Sequence, residues 1–108
     1  MNFAEYQSQA LETDQTSTRR SEDAQLIPLL GLAGEAGGLL SEYKKWLRDG
    51  PSHLRFVDHV HEELGDILWY LSNVASKYGL ELEEIASANL AKTRARFGKQ
   101  PGVMLGVS

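Results

Sequence analysis

Acidic side chains recur at helical spacing in two apolar stretches of the sequence, and they are the residues best suited to carry chemistry. Glu35 lies in a run rich in Gly, Ala and Leu, and Glu42 follows seven positions later, within about 20° of the same helix face. Glu63 and Asp66 are three positions apart, which also places them on one face of a helix. Because gathered carboxylates repel one another and are costly to desolvate, a divalent cation that neutralises them is favoured.

The residue types around these carboxylates narrow the choice of metal. The chain has no cysteine, which excludes thiolate zinc sites and disulfides, and oxygen ligands alone suit Mg²⁺ or Mn²⁺. His61 does not begin a zinc-protease helix, because position 65 holds Gly65 where the second histidine would stand. His59 and His61 lie about 200° apart on a helix, so we expect them at the surface or an interface. The competing interpretation is that the glutamates are solvated residues of amphipathic helices.

Four glycines fall within eight positions of the helix that carries Glu35, at 31, 34, 37 and 38. Each glycine costs roughly 1 kcal/mol relative to alanine in a helix interior. A feature of the fold must therefore favour them. Close approach of a neighbouring helix is one reason, and space for a ligand beside the helix is the other.

Apolar residues recur at three- and four-residue spacing along the whole chain, whereas long alternating runs typical of strands are missing from the sequence. The pattern predicts an all-α fold of four helices in a bundle-like arrangement. The predicted helices cover about 2–13, from 23 or 28 to 48, from a Ser52 N-cap to a stop at Gly79, and 82–97, with a polar connection over 14–23. The fourth helix is expected to turn one apolar face inward, with Asn89 beside Ile85 and Ala86; this face consists of Leu82, Ile85, Ala86, Leu90 and Phe97.

Length and charge limit the class of protein. A chain of 108 residues predicts one domain with a folded surface of roughly 6,000 Å², which leaves little room for an enclosed pocket. The formal charge of −4 argues against a nucleic-acid partner. Leu26 to Leu40, the most apolar stretch, is interrupted by Glu35 and holds four glycines, so we expect no membrane span and a cytoplasmic protein. Apolar residues on several faces of the long helices predict a dimer at least, and a tetramer is an open alternative.

Several blocks of sequence, in the right order and spacing, resemble the MazG-like nucleoside triphosphate pyrophosphohydrolases of the all-α NTP pyrophosphatase superfamily. These blocks are Gly31 to Gly37, Lys44-Lys45, Glu62 to Leu71, Ala88 to Lys92, and Arg96-Phe97. The resemblance covers roughly residues 3–97, so we expect a MazG-like helical domain over 1–97 and a C-terminal tail over 98–108. The stretch from Glu63 to Leu71 is the most specific, and it favours this branch over the related phosphoribosyl-ATP pyrophosphatases.

The resemblance implies Mg²⁺-dependent hydrolysis of a nucleoside or deoxynucleoside triphosphate to the monophosphate and pyrophosphate. The metal motif of the family is Glu-x-x-Glu followed by Glu-x-x-Asp, and Glu35, Glu63 and Asp66 match three of its positions. Gly38 stands at the remaining one. Either Glu42 supplies the missing carboxylate or water does. A third interpretation is that the protein is a non-catalytic helical oligomer that binds a nucleotide or a partner protein.

Other candidate residues follow from what a triphosphate substrate needs. A metal-activated water would attack the α-phosphorus, with Glu62 either orienting that water as a base or lying solvated outside the site. Substrate phosphates require cations and polar groups. The candidates are Lys45, Asn89, Lys92 and Arg96, with Trp46 as a surface on which the base could stack. The preferred base is not predicted.

Overall fold

The regular elements of the structure, a computed structural model that describes residues 1–14 and 21–97, are all helices within those ranges. They are α1 (Phe3–Glu12), α2 (Ser21–Asp49), a short 3₁₀ turn (Gly50–Ser52), α3 (Phe56–Lys77) and α4 (Leu82–Phe97). The prediction of an all-α chain with four helices is confirmed for this part of the sequence. The C-terminal tail and positions 15–20 of the polar connection lie outside the described residues.

The long helix α2 begins earlier than the sequence predicted. It starts at Ser21, so that Pro28 lies inside the helix rather than in its first turn. A proline has no N–H to donate to the carbonyl four residues earlier, here that of Ala24. Both Pro28 and Ala24 are buried, and this burial shows that tertiary packing outweighs the unfavourable helix propensity of proline.

The third helix begins later than predicted. Ser52 does not cap α3, because its Oγ donates a hydrogen bond to the carbonyl oxygen of Asp49 at 2.6 Å within the 3₁₀ turn. The residue that precedes α3 is Arg55, whose φ of 61° lies in the left-handed region. Together with the 3₁₀ turn, this residue forms part of the connection between α2 and α3.

The antiparallel pair of α2 and α3 forms the main body of the described structure. At Gly31 an added Cβ would lie 2.1 Å from Cε1 of Tyr70, so the tyrosine ring packs directly on the α2 backbone. At Gly34 and Gly37 an added Cβ would meet nothing within 4 Å. Close helix approach therefore explains Gly31, whereas Gly34 and Gly37 border open space.

Helix α1 is fixed against α3 and the start of α4 by polar contacts far apart in sequence. The Gln7 side chain donates to the carbonyl of Leu80 at 2.8 Å and accepts from the backbone N–H of Leu82 at 2.8 Å. At the other end of α1, Nε1 of Trp69 donates to Oγ1 of Thr13 at 2.8 Å. These bonds hold α1 along the α3 surface.

The apolar core of the described residues is small. It contains Ala10, Ala24, Ala75 and Leu82, and the accessible surface is 8083 Å² against roughly 6,000 Å² expected for a compact chain of this mass. Of the predicted inner face of α4, Leu82 is buried, but the prediction is wrong for Ile85, Leu90 and Phe97, which are 37–50% exposed in the single chain. Helical periodicity identifies an apolar face but does not say that the same chain covers it.

One stretch, Ala24–Ser52, is long and apolar enough to cross a membrane by length and composition alone, and the mean hydropathy of its most apolar part is 1.2. By that measure the region is more apolar than the sequence analysis expected. The mostly buried core helix of a soluble protein and a signal sequence near an N-terminus have the same length and composition. Only 11% of the most apolar part of Ala24–Ser52 is buried, so much of its apolar surface is available to pack against something else.

Candidate metal centre

Three carboxylates from α2 and α3 converge at the interface between these helices. Glu35 of α2 and Glu63 and Asp66 of α3 each place one oxygen within 4.8 Å of the other two. Glu35 and Glu63 are partly buried, and Asp66 is exposed. The structure thus brings together the three residues that match the metal motif, and we refer to them as the carboxylate trio.

The carboxylate trio is electrostatically uncompensated by the rest of the described chain. The pKa of Glu35 is raised, first by a hydrogen bond with Glu63, then by burial and by the charges of Asp66 and Glu63. Oε2 of Glu63 is buried without a hydrogen-bond partner. Neighbouring carboxyl groups of like charge, one of them with a buried oxygen that has no partner, are what a hard divalent cation would satisfy. The donor set therefore fits Mg²⁺ or Mn²⁺.

Gly38, at the position where the family motif has its second glutamate, lies directly beside the trio. A Cβ added at Gly38 would stand 2.9 Å from Oε2 of Glu63. The Glu63 carboxylate therefore occupies the space that a side chain at this position would enter. The departure from the motif removes one ligand and at the same time lets Glu63 approach the α2 backbone.

Glu42 is not brought to the trio by the structure. Seven residues along a helix correspond to a rise of about 10 Å, so a shared face does not mean a shared site. Its carboxylate lies instead between His53 Nε2 at 2.8 Å and His59 Nδ1 at 3.0 Å, with Lys45 Nζ at 3.7 Å. The hydrogen bond from His59, followed by that from His53, lowers the pKa of Glu42.

Helical spacing did not predict that Glu42 lies between the two histidines His53 and His59. We call these three residues, a glutamate and its two histidines, the Glu42–His pair. Helical spacing predicted His59 at the surface or at an interface, and His53 was not considered as a ligand. His59 is partly buried and bonded to Glu42. Since the chain path through the turn brings His53 back to α2, helical spacing alone gives no signal for this contact.

The Glu62 side chain, the predicted base, is exposed and stands outside the carboxylate trio. It lines an open surface cleft together with Arg55, Asp58 and His61. Glu62 also lies four positions before Asp66, which places the two on neighbouring sides of α3. Its role in catalysis stays a prediction, and its exposure is compatible with the solvated alternative.

The predicted substrate residues lie in two places away from the trio. Lys45 is next to Glu42, and the Trp46 ring stacks on Phe56 with centroids 5.1 Å apart. On α4, Asn89, Lys92 and Arg96 are all exposed, so the inward orientation expected for Asn89 is wrong. Within the described residues, none of the three α4 side chains forms a hydrogen bond or ion pair with the trio.

Tyr6 of α1 is an additional polar group, which the charge of Asp66 affects. Burial, and then the negative charge of Asp66, raise the pKa of its phenol. The phenol therefore stays protonated and available as a hydrogen-bond donor at neutral pH. Helix α1 thus contributes to the surroundings of the carboxylate trio.

Within the described residues the fold is all-α, and carboxylates from two packed helices form a candidate site for a hard divalent cation. The profile of the MazG nucleotide pyrophosphohydrolase domain matches residues 26–99, which is more than half of the chain. The chain belongs to this family. It is also similar to the Gene 37 protein of Mycobacterium phage L5, with 37% identity over 79 residues that cover 71% of this chain and 68% of the phage protein. Among solved structures, none matches significantly.

Proposed function

We propose that the chain is a Mg²⁺-dependent hydrolase that converts a nucleoside or deoxynucleoside triphosphate to the monophosphate and pyrophosphate. Family membership supports the reaction class. The observation that carries the proposal is the convergence of Glu35, Glu63 and Asp66, with a buried Glu63 oxygen that has no partner. Mn²⁺ suits the same oxygen ligands and is expected to replace Mg²⁺.

The proposed metal ligands come from both helices, Glu35 from α2 and Glu63 and Asp66 from α3. A bound Mg²⁺ neutralises phosphate charge and lowers the pKa of a water, so the reaction requires no nucleophilic side chain. Glu35 and Glu63 hold the cation from the partly buried side of the site. Asp66 is the exposed member, and we place the incoming triphosphate on its side.

The direct test is pyrophosphate release from a panel of ordinary and modified nucleoside and deoxynucleoside triphosphates, with Mg²⁺ or Mn²⁺. We expect release from at least one substrate and loss of release on chelation by EDTA. Absence of release from every substrate, with protein shown to be helical by circular dichroism, would contradict the proposed hydrolase.

A second copy of the chain is proposed to complete the site. Helix α2 has a stripe at three- and four-residue spacing, and all of its members are exposed: Leu26, Leu30, Ala33, Gly37, Leu40, Lys44 and Leu47. This spacing suits packing of one helix against another. A partner copy would bring further cations, such as Lys92 and Arg96, to the phosphates.

The oligomer is tested by light scattering at micromolar concentration, where we expect a mass of two chains or four. Leu40→Glu, at a position 71% exposed within the stripe, is expected to give monomers. Leu54→Glu is the matched control, because Leu54 is 75% exposed and lies outside the stripe. A wild-type mass of one chain would contradict the proposed assembly.

Gly38 favours a second candidate, a protein of the same fold that binds a nucleotide or a partner without cleaving it. One family ligand is missing there, and loss of a ligand weakens metal binding. Tight binding of a non-hydrolysable triphosphate without release of pyrophosphate from any hydrolysable one would support this alternative. For either function we propose a cytoplasmic protein without nucleic-acid or membrane partners.

A further inference from the structure

The Glu42–His pair is a compact group of three potential metal ligands that the proposed hydrolase reaction does not use. Glu42 is 8% exposed, and its two carboxylate oxygens accept from different histidines, His53 at 2.8 Å and His59 at 3.0 Å. One ligand atom from each of the three residues lies within 4.8 Å of the other two. The group joins the C-terminal part of α2, the chain after the 3₁₀ turn and the first turn of α3.

The chemistry of these ligands differs from that of the carboxylate trio. Two imidazoles with one carboxylate suit Zn²⁺ and related transition metals, whereas oxygen ligands alone suit Mg²⁺. In a tetrahedral zinc site, bonds of about 2.0–2.1 Å place neighbouring ligand atoms roughly 3.3 Å apart. The observed distances of 2.8 and 3.0 Å are a few tenths of an ångström shorter. The two histidine nitrogens approach different oxygens of Glu42, and one ligand atom of each residue lies within 4.8 Å of the other two.

The surroundings of the Glu42–His pair are suited to retaining an ion. The Phe56 ring lies 5.9 Å from the His53 ring and stacks on Trp46, which gives the group an aromatic wall. A wall of this kind limits the access of water to a metal site. Lys45 is the cation nearest to Glu42, but its side chain is 44% exposed and reaches only 3.7 Å, so it can turn into solvent.

We propose that Glu42, His53 and His59 form a second metal site, of the zinc class, which is separate from the carboxylate trio and fixes the connection between α2 and α3. Three protein ligands leave one coordination position for water or for an added group. The site holds the segment around Arg55, whose left-handed backbone lies between the two histidines. The ligands of this second site are not members of the carboxylate trio. The proposal of a second site therefore does not depend on the proposed hydrolase activity.

The experiment uses full-length protein without a histidine tag, in excess Mg²⁺ so that Zn²⁺ does not enter the carboxylate trio. Zn²⁺ binding is measured by calorimetry, and Co²⁺ is used as a spectroscopic probe of nitrogen and oxygen coordination. We expect one equivalent bound with a dissociation constant in the micromolar range or tighter. We also expect Zn²⁺ to raise the melting temperature, because it binds the folded state.

The variants replace each histidine by the amide that keeps its hydrogen bond to Glu42. His53→Gln retains a donor in place of Nε2, and His59→Asn retains one in place of Nδ1, so both are expected to fold as helical proteins. Since an amide is a poor zinc ligand, we expect each to weaken Zn²⁺ binding at least tenfold. His61→Asn is the matched control, because His61 is exposed and lies outside the pair, and it should bind Zn²⁺ as the wild type does.

Two results would overturn the second site. One is a wild-type protein that binds no Zn²⁺ below about 100 µM, which would make the Glu42–His pair a hydrogen-bond network only. The other is binding that survives in both His53→Gln and His59→Asn and disappears in Glu35→Gln, which would assign the ion to the carboxylate trio. Binding retained in Glu35→Gln and lost in the histidine variants supports the proposal.

Discussion

The carboxylate trio and the Glu42–His pair lie at the same interface between α2 and α3, yet the surroundings of Glu35 and of Glu42 act on these glutamates in opposite ways. Glu35 meets another carboxyl group, and its pKa is raised by Glu63. Glu42 meets two imidazoles, and its pKa is lowered by His59 and His53. The negative charge of a glutamate on this face of α2 is therefore either compensated by side chains of the protein, as at Glu42, or available to be compensated by an added cation, as at Glu35. Only the trio needs that cation in order to be satisfied.

The largest expected effect separates the two groups by activity. Glu63→Gln removes a central oxygen ligand, and we expect pyrophosphate release to fall by about a hundredfold or more, since even indirect supports of metal ligands are worth 10–100-fold. Glu42→Gln, at a position outside the trio, should change the rate by less than about threefold. Equal losses in steady-state pyrophosphate assays would break the comparison and establish Glu42 as the fourth ligand.

The next largest effect is expected at Gly31, where α2 packs closely against Tyr70 of α3. In Gly31→Ala, the added Cβ would lie 2.1 Å from the Tyr70 ring, so we expect a loss of about 1–3 kcal/mol in the free energy of unfolding. Gly34→Ala is the matched control. It meets nothing within 4 Å and should gain about 1 kcal/mol. Urea denaturation at 25 °C measures both, and an unchanged Gly31→Ala would show that the ring moves aside freely.

A smaller effect, the dependence of stability on pH, is expected to have opposite signs for Glu35 and Glu42. Because the pKa of Glu35 is raised above its ordinary value of 4.5, its ionisation opposes folding as the pH rises through that value and the folded pKa. At pH 7 in EDTA, Glu35→Gln should therefore raise the melting temperature by a few degrees, and in excess Mg²⁺ it should remove the stabilisation by the metal. Thermal melts in the two buffers give the comparison. An unchanged melting temperature in EDTA would mean that the trio carries no repulsion.

Glu42 is expected to show the opposite dependence. Its pKa is lowered from 4.5, so its contribution to stability is complete above that value and is lost as the pH falls through the folded pKa. Glu42→Gln should lower the melting temperature at pH 7 with or without Mg²⁺, and the difference from wild type should narrow toward pH 3. A difference that grows on acidification would contradict the assigned hydrogen bonds.

The smallest effect is expected at Glu62, the neighbour of Glu63 in sequence. Glu62 is exposed and outside the trio, so Glu62→Gln should alter kcat by less than about fivefold, far less than Glu63→Gln. A loss of kcat as large as that of Glu63→Gln, with an unchanged KM, would instead assign Glu62 to the positioning of the attacking water.

The four helices were predictable from the sequence because they depend on the spacing of apolar residues. The convergence of Glu35, Glu63 and Asp66 was expected from the resemblance to the MazG-like family, whereas helical spacing by itself grouped Glu35 with Glu42. Glu63 and Asp66 share one turn of α3, and Glu35 faces them across a contact that Gly31 permits. The Glu42–His pair was not predictable, since it depends on the path of the chain through the 3₁₀ turn and on the left-handed conformation of Arg55. Periodicity describes helices, but it does not describe how a turn returns a side chain to the preceding helix.

The exposure of α4 was mispredicted for a related reason. Its apolar residues recur at helical spacing, and that spacing shows that a face is to be covered. It does not distinguish cover by α1 or α3 of the same chain from cover by a second copy. Among the apolar residues of this helix, Leu82, at its first position, is fully buried in the single chain.

The polar bonds that attach α1 also have a consequence for the order of folding. The hydrogen bonds between Glu42 and its histidines join residues 11 and 17 positions apart, whereas those of α1 span 56 to 75 positions. Short loops close at a lower entropic cost than long ones. We therefore expect the α2–α3 hairpin to form early and α1 to dock later, so that the chain shapes its carboxylates before it adds the phenol of Tyr6 beside them.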